Sequence, residues 1–467
     1  MSDGKVLQAN AWSGKAVSGE LSDDPRAWGL RKDLERPRKM LAPDPLDYAN
    51  WQDSRIGWGI VLRDSENGDG RDKAIGAQAP EPIRKLLAAR AGSPVLYYTG
   101  NSDPRLYGRL RRYSPEGTPA DLRFSGNRGT GPNAIPYYLL IVGSPEQIPW
   151  SAQYRMQSDA YVGRLDLDPA GLERYVDALL SDWSDAKLDT RRPVVWAVDH
   201  GPKDITRLMR KTIAEPLAQR FARDVGLEFD MAGGFHSDAQ ATHAMLINAL
   251  EMRKPAFIAT SSHGATFPLT NPHAMRMTLG LPVDNAMTLL DIPALTRAWD
   301  PYGAIWYSHA CCSAGTDQQS VFAGLVKDYT TLAETLNAIA KVGACSAPLP
   351  RELLGGKRPA RAFVGHVEPT FDWTLRDKDT GQVTTQRIID ALYGELHVSA
   401  RRPLGFSMQP YFRAVGGLMQ DYTASVDDVD AAVPGADESA RSNRLMAYDC
   451  LATVLLGDPT VKLPPRI

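Results

Sequence analysis

Phe257-Ile-Ala-Thr-Ser-Ser-His263-Gly264 and Ala304-Ile-Trp-Tyr-Ser-His-Ala-Cys311-Cys-Ser-Ala-Gly315 decide how this chain is read. Each is a run of apolar, strand-like residues that ends in a reactive side chain beside small ones. Their lengths fit buried strands, which are covered on both faces and so lack polar alternation. A strand end holds a side chain rigidly, and small neighbours leave room for a substrate carbonyl. In open α/β sheets, ligands bind outside the carboxyl ends of the strands. His263 and Cys311, distant in sequence, are therefore expected to meet at one cleft as a Cys–His nucleophile pair.

Outward from these strings, strand-like runs alternate with stretches of helical spacing. Strands are expected near 57–62, 94–98, 137–143, 160–165, 193–199, 227–231 and 362–367. Helices are expected near 82–91, 169–183, 204–225, 237–252, 387–400, 408–423 and 442–456. The alternation argues for an α/β fold with a mostly parallel sheet. Residues 1–45 are polar, rich in Pro, Asp and Arg, and read as an irregular N-terminal arm. A boundary near 185–192 divides a smaller α/β subdomain, 46–187, from a subdomain at 188–467 that carries the chemistry. Residues 99–133 read mostly as loop, and 425–439 as an acidic loop. A Pro- and Met-rich insertion at 268–301 lies between the two reactive strands.

The chain has 467 residues and a formal net charge of −2, so no global field points to nucleic acid or to an anionic membrane. Short basic clusters such as Arg109, Arg111 and Arg112 read as solvated faces. No apolar run is long enough for a transmembrane helix, and the first residues lack a secretory profile. Four cysteines do not make a disulfide framework in a chain of this length. The expectation is a cytoplasmic protein with reduced thiols, which suits a thiolate nucleophile.

The paired strings Ser262-His263-Gly264 and His309-Ala310-Cys311 resemble the signatures of the caspase-like cysteine peptidases. Four further strings are similar to the gingipain-like branch of that group: Tyr161-Val-Gly-Arg164, Trp196-Ala-Val-Asp199 followed by Asp204, Val364-Gly-His-Val-Glu-Pro with Trp373, and Leu456-Gly-Asp-Pro-Thr-Val-Lys-Leu463. The resemblance spans roughly 137–463. It implies a caspase-like three-layer sandwich and a cysteine endopeptidase. The insertion has no counterpart in it.

Chemistry assigns roles within that expectation. Cys311 is the nucleophile, its pKa expected to be lowered by neighbouring positive charge. His263 takes the thiol proton and returns it to the leaving amine. The N–H groups of Gly264 and Cys311 form the oxyanion hole. The resemblance implies an acid that orients the histidine, for which Asp199 is the candidate. It also implies an acid at the base of the specificity pocket, for which Asp204 is the candidate, with Trp373 as a wall. His309 is placed with the substrate-binding residues, and His366 is read as structural. An Asp at the pocket base selects Arg or Lys before the scissile bond, because a buried cation needs a partner. The basic loop Gly355-Gly-Lys-Arg-Pro-Ala-Arg361 is the candidate processing site for an upstream activating protease. His309, Cys311 and Cys312 cannot converge from one strand, and no zinc-type spacing occurs, so neither a metal nor a cofactor is expected. Competing readings are a catalytically silent binding protein and a different Cys-dependent hydrolase.

Overall fold

The apolar runs fold into β1 (Trp58–Arg63), β2 (Val95–Tyr98), β3 (Arg109–Tyr113), β4 (Pro119–Arg123), β5 (Tyr138–Val142), β6 (Tyr161–Leu165), β7 (Val194–Ala197), β8 (Phe235–Ser237), β9 (Phe257–Ser261), β10 (Ile305–His309), β11 (Ala362–His366) and β12 (Thr453–Gly457). The computed structural model describes residues 45–65, 67–100, 108–326, 330–376, 380–398 and 401–466, so nearly all of the expected arm at 1–45 lies outside the described residues. The twelve strands form one sheet in the order β4-β3-β2-β1-β5-β6-β12-β11-β10-β9-β7-β8.

Pairing is parallel except at β2–β3–β4 and at β11–β12. Because β6 runs parallel to β12 and β12 runs antiparallel to β11, the two halves of the sheet point in opposite directions. Their carboxyl ends open onto opposite edges. The edge at the ends of β7, β9, β10 and β11 therefore receives residues 199, 263, 311 and 367.

The sheet is covered on both faces, as its strand composition requires. Ile60 and Leu62 of β1 join the large core with Ile83, Leu86 and Val176, whereas Val61 between them joins a second core with Leu139, Ile141, Ile148 and Met156. Helices flanking the sheet supply both sets. Local signals set their ends: Asp168 accepts from the Gly171 N–H at 2.8 Å, with Pro169 next in line, to start the helix Pro169–Leu180. Thr242 caps the helix His243–Arg253 in the same way.

The boundary near 185–192 separates chain segments but not cores. Residues Tyr48–Ile467 form one compact unit, and the sheet runs through it at the β6–β12 pairing. Among the described residues no helix is long and apolar enough to cross a membrane. All four cysteines are free thiols.

Four stretches depart from the sequence expectation. The stretch 425–439, expected as an acidic loop, lies mostly in the helices Gln409–Asp430 and Ala436–Ala452, whose exposed faces accept its acidic residues. Residues 99–133 contain the edge hairpin β3–β4, whose arginines are spread along the strands as edge protection demands. The run at 227–231 buries Leu227 and Phe229 against Phe221 instead of joining the sheet, and β8 begins later, at Phe235. The last helix, Ala436–Ala452, ends early so that Thr453–Gly457 becomes β12. A short apolar run reads equally as strand or buried helix, and tertiary pairing decides.

Candidate active site

Register brings the two reactive residues together. In the parallel β9–β10 pair, Ser261 lies opposite His309. Two residues further on each strand are His263 and Cys311. Gly264 then passes so close to the nucleophile that a β-carbon there would stand 1.9 Å from the Cys311 carbonyl oxygen. Only glycine fits.

The acid beside the histidine is Asp204, not Asp199. His263 Nε2 lies 3.0 Å from Asp204 Oδ2, and the two side chains are 34% and 31% exposed, within reach of a substrate. A carboxylate only accepts, so Nε2 carries the proton and Nδ1 keeps its lone pair. Asp204 is also the N-cap of the helix Ile205–Met209, accepting from the Thr206 N–H at 2.9 Å and its hydroxyl at 2.5 Å. Burial raises its pKa, but the hydrogen bonds from Thr206 and His263 outweigh this and hold the carboxyl below its usual range. Both of its oxygens are therefore taken, which corrects its expected place at a pocket base. Asp199 turns away. It accepts from Arg210 Nε at 3.0 Å and from the Gly201 N–H at 2.9 Å, and so is a structural partner of Arg210.

Cys311 sits on a tight turn. Cys312, buried behind it, holds φ at +54°, a conformation non-glycine residues rarely adopt and one that recurs at functional sites. The turn is tied down by Cys312 N–H to the Glu368 carbonyl at 2.8 Å, Ala314 N–H to the His366 carbonyl at 2.8 Å, and His366 N–H to Ser313 Oγ at 3.0 Å. The thiol donates to the Thr370 carbonyl at 3.6 Å. Burial pushes the thiol up to about 11, with the buried Asp449 adding to the rise; the N–H groups of Cys311 and Gly264 work in the opposite direction. Among the described residues no cationic side chain lowers it, contrary to the sequence expectation.

A largely apolar cleft with a cavity volume of about 90 Å³ is lined by Tyr307 and His309 of β10 and by Trp373, Thr374 and Arg387 among others. Trp373 is held against Phe371 at 4.3 Å and Phe322 at 5.5 Å between ring centroids. His309 is buried, contacts the Tyr307 hydroxyl through Nδ1 at 3.0 Å, and is pushed down to about 4 by burial. Burial thus disfavours its cationic form. Near the cleft Asp449 is wholly buried, accepts from Thr374 Oγ1 at 2.5 Å, and is pushed up to about 7 by burial. Among the described residues no cationic side chain forms an ion pair with it.

Sequence reasoning missed Asp449, because its helix carries no signal that distinguishes it from other exposed-looking acids. It also missed the role of the insertion. The Val283 N–H donates to the His263 carbonyl at 3.0 Å, and Ala265 exchanges backbone bonds with Leu281 and Gly280 at 2.9 and 2.8 Å. The insertion thus clamps the segment that presents the histidine. It also supplies the Asp284 carbonyl, which lies 3.1 Å from His200 Nε2; the His200 ring stacks on His263 at 5.5 Å and 10°.

The loop expected to be cut on activation is held fast. Arg361 is buried, pairs with Asp182 at 2.5 Å, donates to the Gly303 carbonyl and lies over Trp183, while Arg358 pairs with Asp185 and Asp300. Cleavage after Arg361 would require prior local unfolding, whereas Lys357 in the same loop is exposed.

No protein-family model matches the chain, and no curated protein is found similar to it. A solved structure described as "Structure of Protease" is similar over 88% of this chain and 79% of its own, at 12% identity and a TM-score of 0.48. At that identity and score the likeness says nothing about which residues act.

Proposed function

We propose that this chain is a cysteine peptidase of caspase-like, gingipain-like type, in which Cys311 attacks the peptide carbonyl and an Asp204–His263 pair manages the proton. The observation that carries the reading is the His263 Nε2–Asp204 bond at the strand edge shared with Cys311, with Gly264 packed against the nucleophile's backbone. The thiol proton passes to His263 Nδ1, and the sulfur bonds to the carbonyl carbon. The oxyanion that forms is met by the N–H groups of Gly264 and Cys311. Collapse breaks the C–N bond, and the amine leaves with the proton from His263. Water, deprotonated by the same nitrogen, then hydrolyses the thioester.

Preference for Arg or Lys before the scissile bond belongs to this reading, with Asp449 in the place first given to Asp204. A buried carboxyl without a cationic partner is stabilised in its charged form by a substrate cation. Arg387 lines the same cleft and would instead favour an acidic side chain. Substrates that differ only at that position, with Arg, Lys, Asp or Leu, decide between them. Turnover of Arg and Lys that falls at least tenfold in Asp449→Asn is the expected outcome; preference for Asp would reject the assignment.

One observation favours a second reading, a catalytically silent binding protein: the thiol donates to the Thr370 carbonyl rather than to His263, and burial raises its pKa. Mass-spectrometric mapping after treatment with an electrophilic peptide separates the two. A covalent adduct on Cys311 belongs to the peptidase, and an unmodified thiol to the binding protein.

A further inference from the structure

His200, Asp204 and His263 each offer one ligand atom, and these atoms lie within 4.8 Å of one another. All three residues are partly exposed, while the His200 Nδ1 atom itself is buried, so a small rotation of that ring admits an ion. His200 is prepared for ligation. A backbone carbonyl only accepts, so its contact at 3.1 Å with Asp284 places the proton on Nε2. Nδ1 therefore carries a lone pair, and it is buried without a hydrogen-bond partner. A carbonyl behind a ligating histidine is the usual outer support of a metal site. The His200 N–H, donated to Thr206 Oγ1 at 3.0 Å, fixes the backbone that carries the ring, and Thr206 also holds Asp204. Two imidazoles and one carboxylate form a donor set suited to zinc, with a fourth position left open.

The distances fit a modest closure. Bonds of about 2.0–2.1 Å at tetrahedral angles place donor atoms about 3.3 Å apart. His263 Nε2 and Asp204 Oδ2 are already at 3.0 Å, so the remaining movement is mainly that of His200 towards this pair.

We propose that His200, Asp204 and His263 form a site for a divalent transition-metal ion that reversibly silences Cys311. The sequence spacing of these residues matches no metal motif, which is why the site is legible only in the fold. The ion replaces the proton shared between His263 Nε2 and Asp204. The Nε2–H bond breaks and its proton leaves to solvent as the ion coordinates, and neutral His263 takes a proton from solvent on Nδ1, the nitrogen that must accept from the thiol, so the net protonation of the ring is unchanged. The base is held in the wrong tautomer. The ion-binding half of this proposal stands by itself, whereas the silencing half rests on the peptidase reading above.

The test uses untagged full-length Cys311→Ala, so that the thiol cannot ligate, with zinc titrated against a chromophoric chelator. One equivalent bound at micromolar affinity or better is expected, weakened about tenfold or more by adding His200→Gln. If that double variant does not fold, as judged by its circular-dichroism melt, Asp204→Asn in the same background gives the same comparison. Absence of zinc binding to Cys311→Ala, or equal binding by the double variant, overturns the site. In wild type, zinc should inhibit peptide turnover, chelator should restore it, and His200→Gln should shift the inhibition constant by a similar factor. Equal inhibition in His200→Gln overturns the silencing mechanism. Because the first measurement needs no turnover, failure of the peptidase reading and failure of the metal site are told apart.

Discussion

Asp199 and Asp204 are near neighbours in sequence with opposite tasks. Asp204→Asn keeps the shape but removes the carboxylate that fixes the His263 tautomer, so kcat/KM should fall by about 10²–10⁴ with little change in folding. Asp199→Asn breaks a mostly buried pair with Arg210, itself also near Glu215 at 3.5 Å. It should cost about 1–3 kcal/mol of stability and spare the chemical step. Steady-state kinetics and melting of both variants check the assignment, and the reverse pattern would return Asp199 to the histidine. Asp449 gives a pH signature. Its folded pKa, near 7, lies above that of the unfolded chain, so the native state holds the proton longer. That contribution is fully present below the unfolded pKa and is lost as pH rises towards 7. Asp449→Asn should therefore stabilise the protein at pH 8 relative to wild type, by on the order of a few kcal/mol, and much less at pH 4. Melting curves at the two pH values measure it.

At the scale of elements, β9 and β10 were readable because buried parallel strands are continuous apolar runs, and each is followed two residues beyond its end by a reactive side chain, His263 or Cys311. Most other strands of the sheet were readable for the same reason. The hairpin β3–β4 was not, since an edge strand is polar by necessity. Nor was the choice between His263 partners readable: register places Asp199 beyond the end of β7, in line with His263, yet Arg210 captures its side chain. That capture comes from the next helical turn, which spacing alone does not reveal. The glycine at 264 carries the most exacting packing demand in the site. Gly264→Ala should displace the Cys311 carbonyl and reduce turnover by two orders of magnitude or more, roughly the loss of an oxyanion donor. Near-normal kcat in that variant would mean that the oxyanion is held elsewhere. The insertion acts as a clamp, and Val283→Pro, which deletes the N–H bonded to the His263 carbonyl, should lower kcat more than it raises KM.

At the scale of the molecule, one sheet with its halves running in opposite directions ties the chemistry to strands that never touch it. Trp58 Nε1 reaches Asp458 at 3.1 Å, Trp150 Nε1 the Thr316 carbonyl at 3.0 Å, and Trp183 Nε1 the Pro359 carbonyl at 2.8 Å. The segment 188–467 expressed alone would leave β12 without β6 and these acceptors without donors. It should show no cooperative melt, and a sharp two-state transition would contradict the shared core. The proposed activity rests on Cys311 and the His263–Asp204 pair. The most direct measurement is hydrolysis of a fluorogenic peptide library by wild type and by Cys311→Ala in chelator-containing buffer. Turnover by wild type that disappears in Cys311→Ala is the expected result. Equal turnover by both proteins, or none by wild type together with a Cys311 that no peptide electrophile labels, would contradict the assignment.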